Sequence, residues 1–342
     1  MSSDFKLPEG TPVLVTGATG FTGSVLTRKL VRGGARVRAV ARRSSNIDAL
    51  ADLPVEWIRG EVYDEDVVRK ACEGVHYIFH VAAAFRQAKI SDEQYRRVHV
   101  SSTELLANRA ADNPDFKRFI HVSTIGVHSH IENPPADENY PMQPGDIYQQ
   151  TKAEGEMWIK NFSEQHGLPL VIVRPAAIYG PGDRRLLKLF RMAGKKVFFI
   201  LGFGKNLFHL IHVDDLTDFF IHVALVPEAE GQIYICGNSE WTNLKEMVDI
   251  IARTYGSEVH FIRLPAAPFF AAGFLAEAVC RPLGIEPPIY RRRVAFFTKD
   301  RAFDTTKMRV EAGFAPKYNN EQGLKQTALW YVEQGWIKKA VS

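Results

Sequence analysis

The sequence predicts an α/β protein, a doubly wound parallel sheet with a smaller region after it. Three observations support this fold class. Short apolar runs alternate with helical segments over the first half of the chain, which is typical of a parallel sheet covered by helices on both faces. A glycine-rich turn separates the first apolar run from the first helical segment, and the alternation loosens after about residue 175.

The alternating elements of the first half are identified from apolar runs and from the residues that begin and end helices. The predicted strands cover residues 11–16, 35–41, 55–59, 75–81, 116–123 and 170–174. The predicted helices cover residues 24–32, 64–71, 92–111 and 148–166. The first strand, turn, helix and second strand form a complete βαβ unit of about 30 residues.

The composition is that of an ordinary globular protein. The chain has 342 residues, enough for one large domain or two modest ones, with 46% hydrophobic and 24% charged residues. Its net charge of +4 is too small to indicate a nucleic-acid partner. The three cysteines, Cys72, Cys236 and Cys280, lie far apart with no metal-binding spacing, so we expect no metal and a reducing compartment.

No segment has the pattern of a targeting or membrane-spanning sequence. The first ten residues contain no apolar signal core. The longest apolar stretch, Leu264 to Cys280, is interrupted by Glu277 and is shorter than the roughly 20 residues that a spanning helix needs. We therefore expect a cytoplasmic protein, with residues 265–293, which end in three arginines, as a candidate for peripheral contact with a membrane.

The glycine-rich turn has the spacing Gly17-x-x-Gly20-x-x-Gly23, a variant of the dinucleotide fingerprint. Glycines let the backbone approach a pyrophosphate closely, and the helix that follows points its free N–H groups at that phosphate. An ordinary glycine-rich turn is the alternative, but the flanking strand and helix favour a Rossmann-type site. The predicted cofactor contacts here are Gly17, Thr19, Gly20, Phe21, Thr22 and Gly23.

The end of the second strand predicts which dinucleotide binds. An acid there would hydrogen-bond the ribose 2′-hydroxyl and select NAD(H). The chain instead has Arg42 and Arg43, which suit a 2′-phosphate, so NADP(H) is the predicted cofactor and NAD(H) the alternative. The competing interpretation is that both arginines are solvated surface charges. Glu61 and Val62, after the third strand, are placed to meet the adenine, although Glu61 is nearly as well explained as a loop acid.

A tyrosine and a lysine predict the chemistry. Tyr148 and Lys152 are four residues apart and share one face of a predicted helix. A lysine beside a phenol lowers the phenol pKa, so that the phenol can exchange a proton with an alcohol or ketone. Ser123 and Thr124 end a predicted strand, where ligands of open α/β sheets bind, and a hydroxyl there can polarise the same oxygen. A surface Tyr–Lys pair is the alternative.

These motifs together resemble the extended short-chain dehydrogenase/reductase family, and the resemblance covers most of the chain. It rests on TGATGFTG at 16–23, HVAA at 80–83, VSTIGV at 122–127, the Tyr148–Lys152 pair and RPAAIYGPG at 174–182. Where the family usually has an asparagine, this chain has His99, for which a buried, satisfied histidine is the favoured interpretation and an altered proton path the alternative.

The resemblance implies a role for each matching residue. Tyr148 would be the catalytic acid/base, and Lys152 both its electrostatic partner and a ligand of the nicotinamide ribose. The catalytic hydroxyl would belong to Thr124, or to Ser123 if the register is one residue off. Further cofactor contacts would be Ala82, Ala83, Pro175 and Ile178.

Two domains are expected from these patterns. Residues 1–175 would form the NAD(P)-binding Rossmann domain. Residues 176–342 would mainly bind substrate, with about 208–238 returning to the Rossmann sheet.

The second half of the chain predicts a hydrophobic small-molecule substrate. Nucleotide-sugar epimerases of this family usually carry an arginine where this chain has Phe208, although Arg184 or Arg185 could compensate. Aromatic and aliphatic side chains are frequent in this half and could line an apolar pocket, although most would simply form core. The predicted substrate contacts are Phe85, Ser123 and Phe208.

The C-terminal stretch 297–304 and residues 313–316 are similar to the branch that contains 3β-hydroxysteroid dehydrogenases and sterol C4-decarboxylating dehydrogenases. The prediction is therefore hydride transfer to or from a secondary alcohol or ketone on a steroid-like molecule. A nucleotide-sugar epimerase or dehydratase is the first alternative, and a non-catalytic cofactor-sensing protein the second. A homodimer is the expected assembly.

Overall fold

The central element is a seven-stranded parallel sheet in the order β11-β6-β5-β4-β1-β2-β3. The computed structural model describes residues 5–84, 90–280, 294 and 299–337. The strand order runs outward in both directions from β1, as in a doubly wound Rossmann fold, which confirms the predicted fold class. The strands are β1 Pro12–Thr16, β2 Arg36–Ala41, β3 Glu56–Arg59, β4 Tyr77–His80, β5 Arg118–Val122, β6 Leu170–Pro175, β7 Ala177–Tyr179, β8 Val197–Leu201, β9 Leu207–Phe208, β10 Leu210–His212, β11 Ile233–Cys236, β12 Thr242–Asn243 and β13 His260–Leu264.

Helices cover both faces of this sheet. β5 and β6 are buried at every position, as strands packed on both faces must be. One apolar cluster joins the sheet to α1 and α7, and a second joins it to α2, α4 and α5. The helices are α1 Phe21–Arg32, α2 Glu65–Cys72, α3 Asp92–Arg96, α4 Ser102–Ala111, α5 Ile147–His166, α6 Leu187–Ala193, α7 Val213–Leu225, α8 Leu244–Thr254, α9 Ala266–Cys280, α10 Thr306–Val310 and α11 Asn320–Glu333.

Residues 208–215 contain parts of two short strands and the start of a helix. β9 and β10 are short, and α7 begins at Val213 with Asp214 and Asp215 in its first turn, where acids stabilise the helix dipole. α7 is buried along nearly its whole length, so its apolar run resembles that of a buried strand. After α7, β11 pairs with β6 and extends the main sheet.

A smaller lobe lies beside the carboxyl end of the sheet and has its own apolar cluster. The cluster contains side chains of α6, α8 and α11, together with the inward face of β8, which pairs in parallel with β13. β8 and β13 form a separate two-stranded sheet. One face of this sheet packs on the apolar cluster, and the other face is exposed to solvent.

Candidate active site

The glycine turn between β1 and α1 is packed too tightly for side chains. A Cβ on Gly23 would lie 2.0 Å from the Gly17 carbonyl oxygen, and one on Gly17, whose φ is +72°, would lie 2.8 Å from the Ala82 nitrogen. α1 has no acid in its first turn and no side-chain cap, so its free N–H groups face the cavity described below without a competing charge. The turn therefore fits a pyrophosphate, which needs both close backbone approach and unoccupied donors.

The ends of β2 and β3 form the distal part of this region. Arg42 lines the cavity together with Ser45, Glu61 and Val62, whereas Arg43 is exposed and not part of the lining. The Arg59 guanidinium donates to the carbonyl oxygens of Arg42 and Ser45, at 3.3 and 3.0 Å. Arg59, which the sequence interpretation overlooked, thus braces the loop that carries Arg42.

α5 places Tyr148 and Lys152. The Asp146 carboxylate accepts a hydrogen bond from the Gln149 amide at 2.9 Å, so the helix begins at Ile147 and Tyr148 lies in its first turn. Gly155 allows α5 to approach the preceding helix closely, because a Cβ there would be 2.5 Å from the His99 carbonyl oxygen. Both Tyr148 and Lys152 line the cavity.

Lys152 is a buried cation. Its Nζ donates to the Val122 carbonyl oxygen at the end of β5, at 2.6 Å. Burial lowers the pKa of Lys152 to about 8, against the opposing effect of Glu156 one turn further along the helix. The ammonium is thus fixed one helical turn after Tyr148, and its positive charge favours the ionised form of the phenol.

His99 occupies a π-helical turn, Arg97–Ser101, between α3 and α4. Its Nε2 accepts a hydrogen bond from the Ala84 amide at 3.0 Å, so Nδ1 carries the proton and donates to Thr151 Oγ1 at 2.8 Å. The ring also packs edge-on to Tyr148, with centroids 5.4 Å apart. Burial, and then the charge of Lys152, lower the pKa of His99 to about 2, so the ring is neutral.

The two candidate hydroxyls follow β5. Thr124 Oγ1 accepts a hydrogen bond from the Gly126 amide at 3.0 Å, which leaves its own proton for another acceptor. Ser123 is buried, and its Oγ has no hydrogen-bond partner among the described residues. Both residues line the same cavity, so the geometry is compatible with either register.

One cavity of about 1180 Å³ joins the glycine turn, the end of β2, the Tyr148–Lys152 pair and the two candidate hydroxyls. It is larger than the usual range for a single small-molecule site, about 300–1000 Å³, and so has room for two ligands. Phe85 lies outside the described residues, and Arg43 is not in the lining. The cavity wall does include the other predicted site residues, Gly17, Thr19, Gly20, Phe21, Thr22, Gly23, Arg42, Glu61, Val62, Ala82, Ala83, Ser123, Thr124, Tyr148, Lys152, Pro175, Ile178 and Phe208.

The far end of the cavity is mostly apolar. It is lined by residues of α6 and its N-cap, β8, β10, α8, β13 and α9 together with Phe208, namely Leu186, Leu189, Met192, Phe198, Phe199, Leu201, Leu210, Leu244, Met247, Leu264 and Phe269. The apolar residue types predicted this character, but their convergence depends on the tertiary fold.

Two arginines also reach the wall. Arg185 donates to Asp183 and lies 5.3 Å from the Phe21 ring, whereas Arg184 packs on Trp336 outside the lining. Arg301 pairs with Phe208 as an isolated parallel bridge. The sequence interpretation missed Arg301, because no local pattern relates it to Phe208.

Within the described ranges, no three His, Cys, Asp or Glu side chains converge as a metal site. The helices of these ranges are likewise all too short or too polar to cross a membrane.

The fold and the cavity together have the arrangement of Rossmann-type proteins that bind a dinucleotide. Residues 13–237 match the model of the NAD dependent epimerase/dehydratase family. The chain belongs to this family, and the resemblance to the extended short-chain type is confirmed.

Two curated relatives illustrate the range of the family. The chain is 29% identical to 3beta-hydroxysteroid-dehydrogenase/decarboxylase isoform 2 of Arabidopsis thaliana over 92% of its own length and 61% of that protein. It is also 29% identical to dTDP-glucose 4,6-dehydratase of Streptomyces niveus, over 93% of its own length and 92% of that protein.

Solved structures share the fold. The crystal structure of gox2253 aligns with a TM-score of 0.81 at 26% identity, over 96% of this chain and 100% of that one. dTDP-glucose 4,6-dehydratase from Bacillus anthracis, solved in complex with NAD, aligns with a TM-score of 0.74 at 22% identity, over 96% of this chain and 99% of that one.

Proposed function

We propose that the protein is an NADP(H)-dependent dehydrogenase or reductase that acts on a secondary alcohol or ketone of a hydrophobic, steroid-sized molecule. The observation that carries this proposal is a single cavity, lined at one end by the glycine turn, in the middle by Tyr148 and Lys152, and at the far end by apolar side chains. A relative named as a 3beta-hydroxysteroid dehydrogenase supports the substrate class.

Each residue has a defined task in this reaction. The turn Gly17–Gly23 holds the cofactor, which when bound supplies or accepts a hydride. Tyr148 exchanges a proton with the substrate oxygen, and the Lys152 ammonium stabilises the phenolate that results. Thr124 donates a hydrogen bond to the same oxygen, with Ser123 as the alternative donor.

The preference for NADP(H) rests on Arg42. Its side chain is in the cavity wall, at the end of β2 where an acid would select NAD(H). Arg43 is exposed and outside the cavity wall, so the proposal does not rest on it. NAD(H), the cofactor in the family's name, is the alternative.

The deciding experiment removes the hydroxyl group of Tyr148. Tyr148→Phe should lose at least about a hundredfold in turnover of steroid ketones with NADPH, since general acid–base catalysis contributes about that much or more. NADPH affinity, measured by fluorescence titration, should be unchanged. Tyr77→Phe, at the amino end of β4 and outside the cavity, is the matched control. Normal turnover by Tyr148→Phe would exclude the mechanism.

A nucleotide-sugar epimerase or dehydratase is the second candidate. Arg185 and Arg301, both in the cavity wall, could neutralise a diphosphate despite the phenylalanine at 208. This candidate predicts binding of UDP or dTDP in calorimetry. The hydrophobic-substrate proposal predicts that neither nucleotide binds, and binding of steroid but not nucleotide would separate the two.

A cofactor-sensing protein without turnover is the third candidate. This candidate would be supported if the protein bound the cofactor but turned over no alcohol or ketone.

The proposal also includes a homodimer and peripheral contact with a membrane through residues 265–293. The exposed apolar side chains of the described residues indicate which surface would contact the membrane.

A further inference from the structure

Exposed apolar side chains are concentrated on one part of the smaller lobe. Seven of the eleven large hydrophobic side chains that are exposed in the described residues lie on β8, the turn after it, β13 and α9. These seven, called here the apolar rim, are Val197, Phe199, Phe203, Ile262, Phe274, Leu275 and Val279. Single exposed hydrophobic residues are ordinary, but a cluster of this kind marks an interaction site.

The rim residues are structurally connected. Phe199 and Ile262 are register partners in the β8–β13 pair, and the Arg263 guanidinium lies 5.7 Å from the Phe203 ring. α9 follows β13 after one residue, Pro265.

α9 differs from the core helices. Of its fifteen residues only Gly273 and Glu277 are buried, and it contains no lysine or arginine. A helix that is apolar on all sides is normally buried in a core or in lipid. At about 1.5 Å per residue α9 is roughly 22 Å long, shorter than the roughly 30 Å hydrocarbon layer, so it can lie in a bilayer interface but not cross it.

The segment that carries β8 is basic, whereas one exposed acid, Glu258, precedes β13. From Arg184 to Val213 the chain contains seven lysines and arginines and no aspartate or glutamate. Lys195 and Lys196 are exposed and directly precede Val197, and Lys205 is exposed two residues after Phe203. Cations around an apolar surface complement anionic phospholipid headgroups. A two-fold dimer through the same surface would bring two sets of these lysines into one interface, which disfavours a second copy as the occupant.

The rim adjoins the substrate end of the cavity. Phe199 belongs to the rim and also to the cavity wall, and Phe269 on α9 lines the cavity five residues before Phe274. An occupant of the rim therefore lies next to the apolar end of the cavity.

We propose that the apolar rim and its flanking lysines dock the protein on a bilayer that contains anionic phospholipids. The docking itself does not depend on the proposed reaction. If the substrate is hydrophobic, as the proposed function holds, this position lets it pass from lipid into the cavity without crossing water.

The test is flotation of the full-length protein with phosphatidylcholine vesicles that contain or lack phosphatidylglycerol. We expect binding to the anionic vesicles that falls at least about tenfold as NaCl is raised, because surface charges are screened by salt. Leu275→Ser/Val279→Ser should lose about tenfold or more of this binding, and so should Lys195→Glu/Lys196→Glu. The control Val310→Ser/Leu329→Ser removes exposed apolar side chains elsewhere and should bind normally.

Several results would overturn the proposal. One is failure of the unmodified protein to float with anionic vesicles, and another is normal flotation of both the serine variant and the glutamate variant. If light scattering shows a dimer that the Leu275→Ser/Val279→Ser variant converts to monomers without any lipid binding, the rim is a protein interface instead. Should the serine variant fail to fold, the salt titration and the lysine variant decide the question. Flotation requires no turnover, so it tests membrane docking even if the protein does not catalyse the proposed reaction.

Discussion

His99 Nε2 accepts a hydrogen bond from the backbone amide of Ala84 at 3.0 Å, and this bond joins the helix beside Tyr148 to the segment that lines the cofactor end of the cavity. The other end of that segment is held in the same way, since the Ala82 amide donates to Thr16 Oγ1, which in turn bonds His80. Thr151, the partner of His99 Nδ1, is on α5 between Tyr148 and Lys152. One neutral imidazole thus couples the cofactor segment to the catalytic helix.

His99→Phe should therefore weaken cofactor binding more than it changes the chemical step. The variant keeps an aromatic ring but leaves the buried Ala84 amide without its acceptor, which costs about 1–3 kcal/mol. We expect KM for the cofactor to rise about fivefold or more while kcat falls less, and the free energy of unfolding to drop by a similar energy. Steady-state kinetics measures KM and kcat, and urea unfolding measures the free energy of unfolding. An unchanged KM with a large loss of kcat would instead indicate a role in proton transfer.

Gly155→Ala should destabilise the protein although it improves helix propensity. Alanine gains up to about 1 kcal/mol over glycine in a helix. The new Cβ would be 2.5 Å from the His99 carbonyl oxygen, and forced overpacking costs about 1–3 kcal/mol. We expect a net loss in thermal denaturation. The control Gly145→Ala, whose Cβ would meet only the Gln149 and Ser129 side chains, at 3.5 and 3.6 Å, should be nearly neutral. A stabilised Gly155→Ala variant would show that α5 can move away.

The features that could be predicted from the sequence are those encoded by neighbouring residues. The glycine turn needs three glycines between a strand and a helix, and Tyr148 and Lys152 share a helix face because of their spacing. Arg301 could not be found in this way, because its amide bonds the Leu207 carbonyl from 94 positions further along the chain. α7 was missed for a different reason, since burial on almost all sides removes the amphipathic period that identifies a helix.

Arg42→Ala should reduce NADPH affinity by at least about tenfold and leave NADH affinity nearly unchanged. The loss corresponds to a hydrogen bond with a charged group, worth about 1.5–3 kcal/mol. Fluorescence titration with both cofactors measures the difference. Arg43→Ala is the matched control, because this neighbouring arginine is exposed and outside the cavity wall. Equal effects of the two variants, or better NADH than NADPH binding by the unmodified protein, would contradict the assignment of Arg42 to a 2′-phosphate.

His121→Leu should make the protein more resistant to acid. His121 is buried in β5, both of its ring nitrogens lack hydrogen-bond partners among the described residues, and burial lowers its pKa well below 6.5. Between the folded and unfolded pKa values the unfolded chain binds the extra proton, so the stability is fully present above about pH 6.5 and falls as the pH drops below it. The loss is about 1.4 kcal/mol per pH unit for each such histidine.

Leucine at position 121 cannot take up this proton. The free energy of unfolding of His121→Leu should therefore fall less steeply with decreasing pH, by about 1.4 kcal/mol per pH unit. Part of the fall should remain, because burial also lowers the pKa of His80 to about 3 and that of His99 to about 2. Urea unfolding between about pH 7 and about pH 4.5 measures the slope, with His166→Leu, at the exposed end of α5, as the control. If His121→Leu and the unmodified protein lose stability in parallel, the pKa of His121 is not lowered by burial, and a partner of the imidazole must stabilise its protonated form.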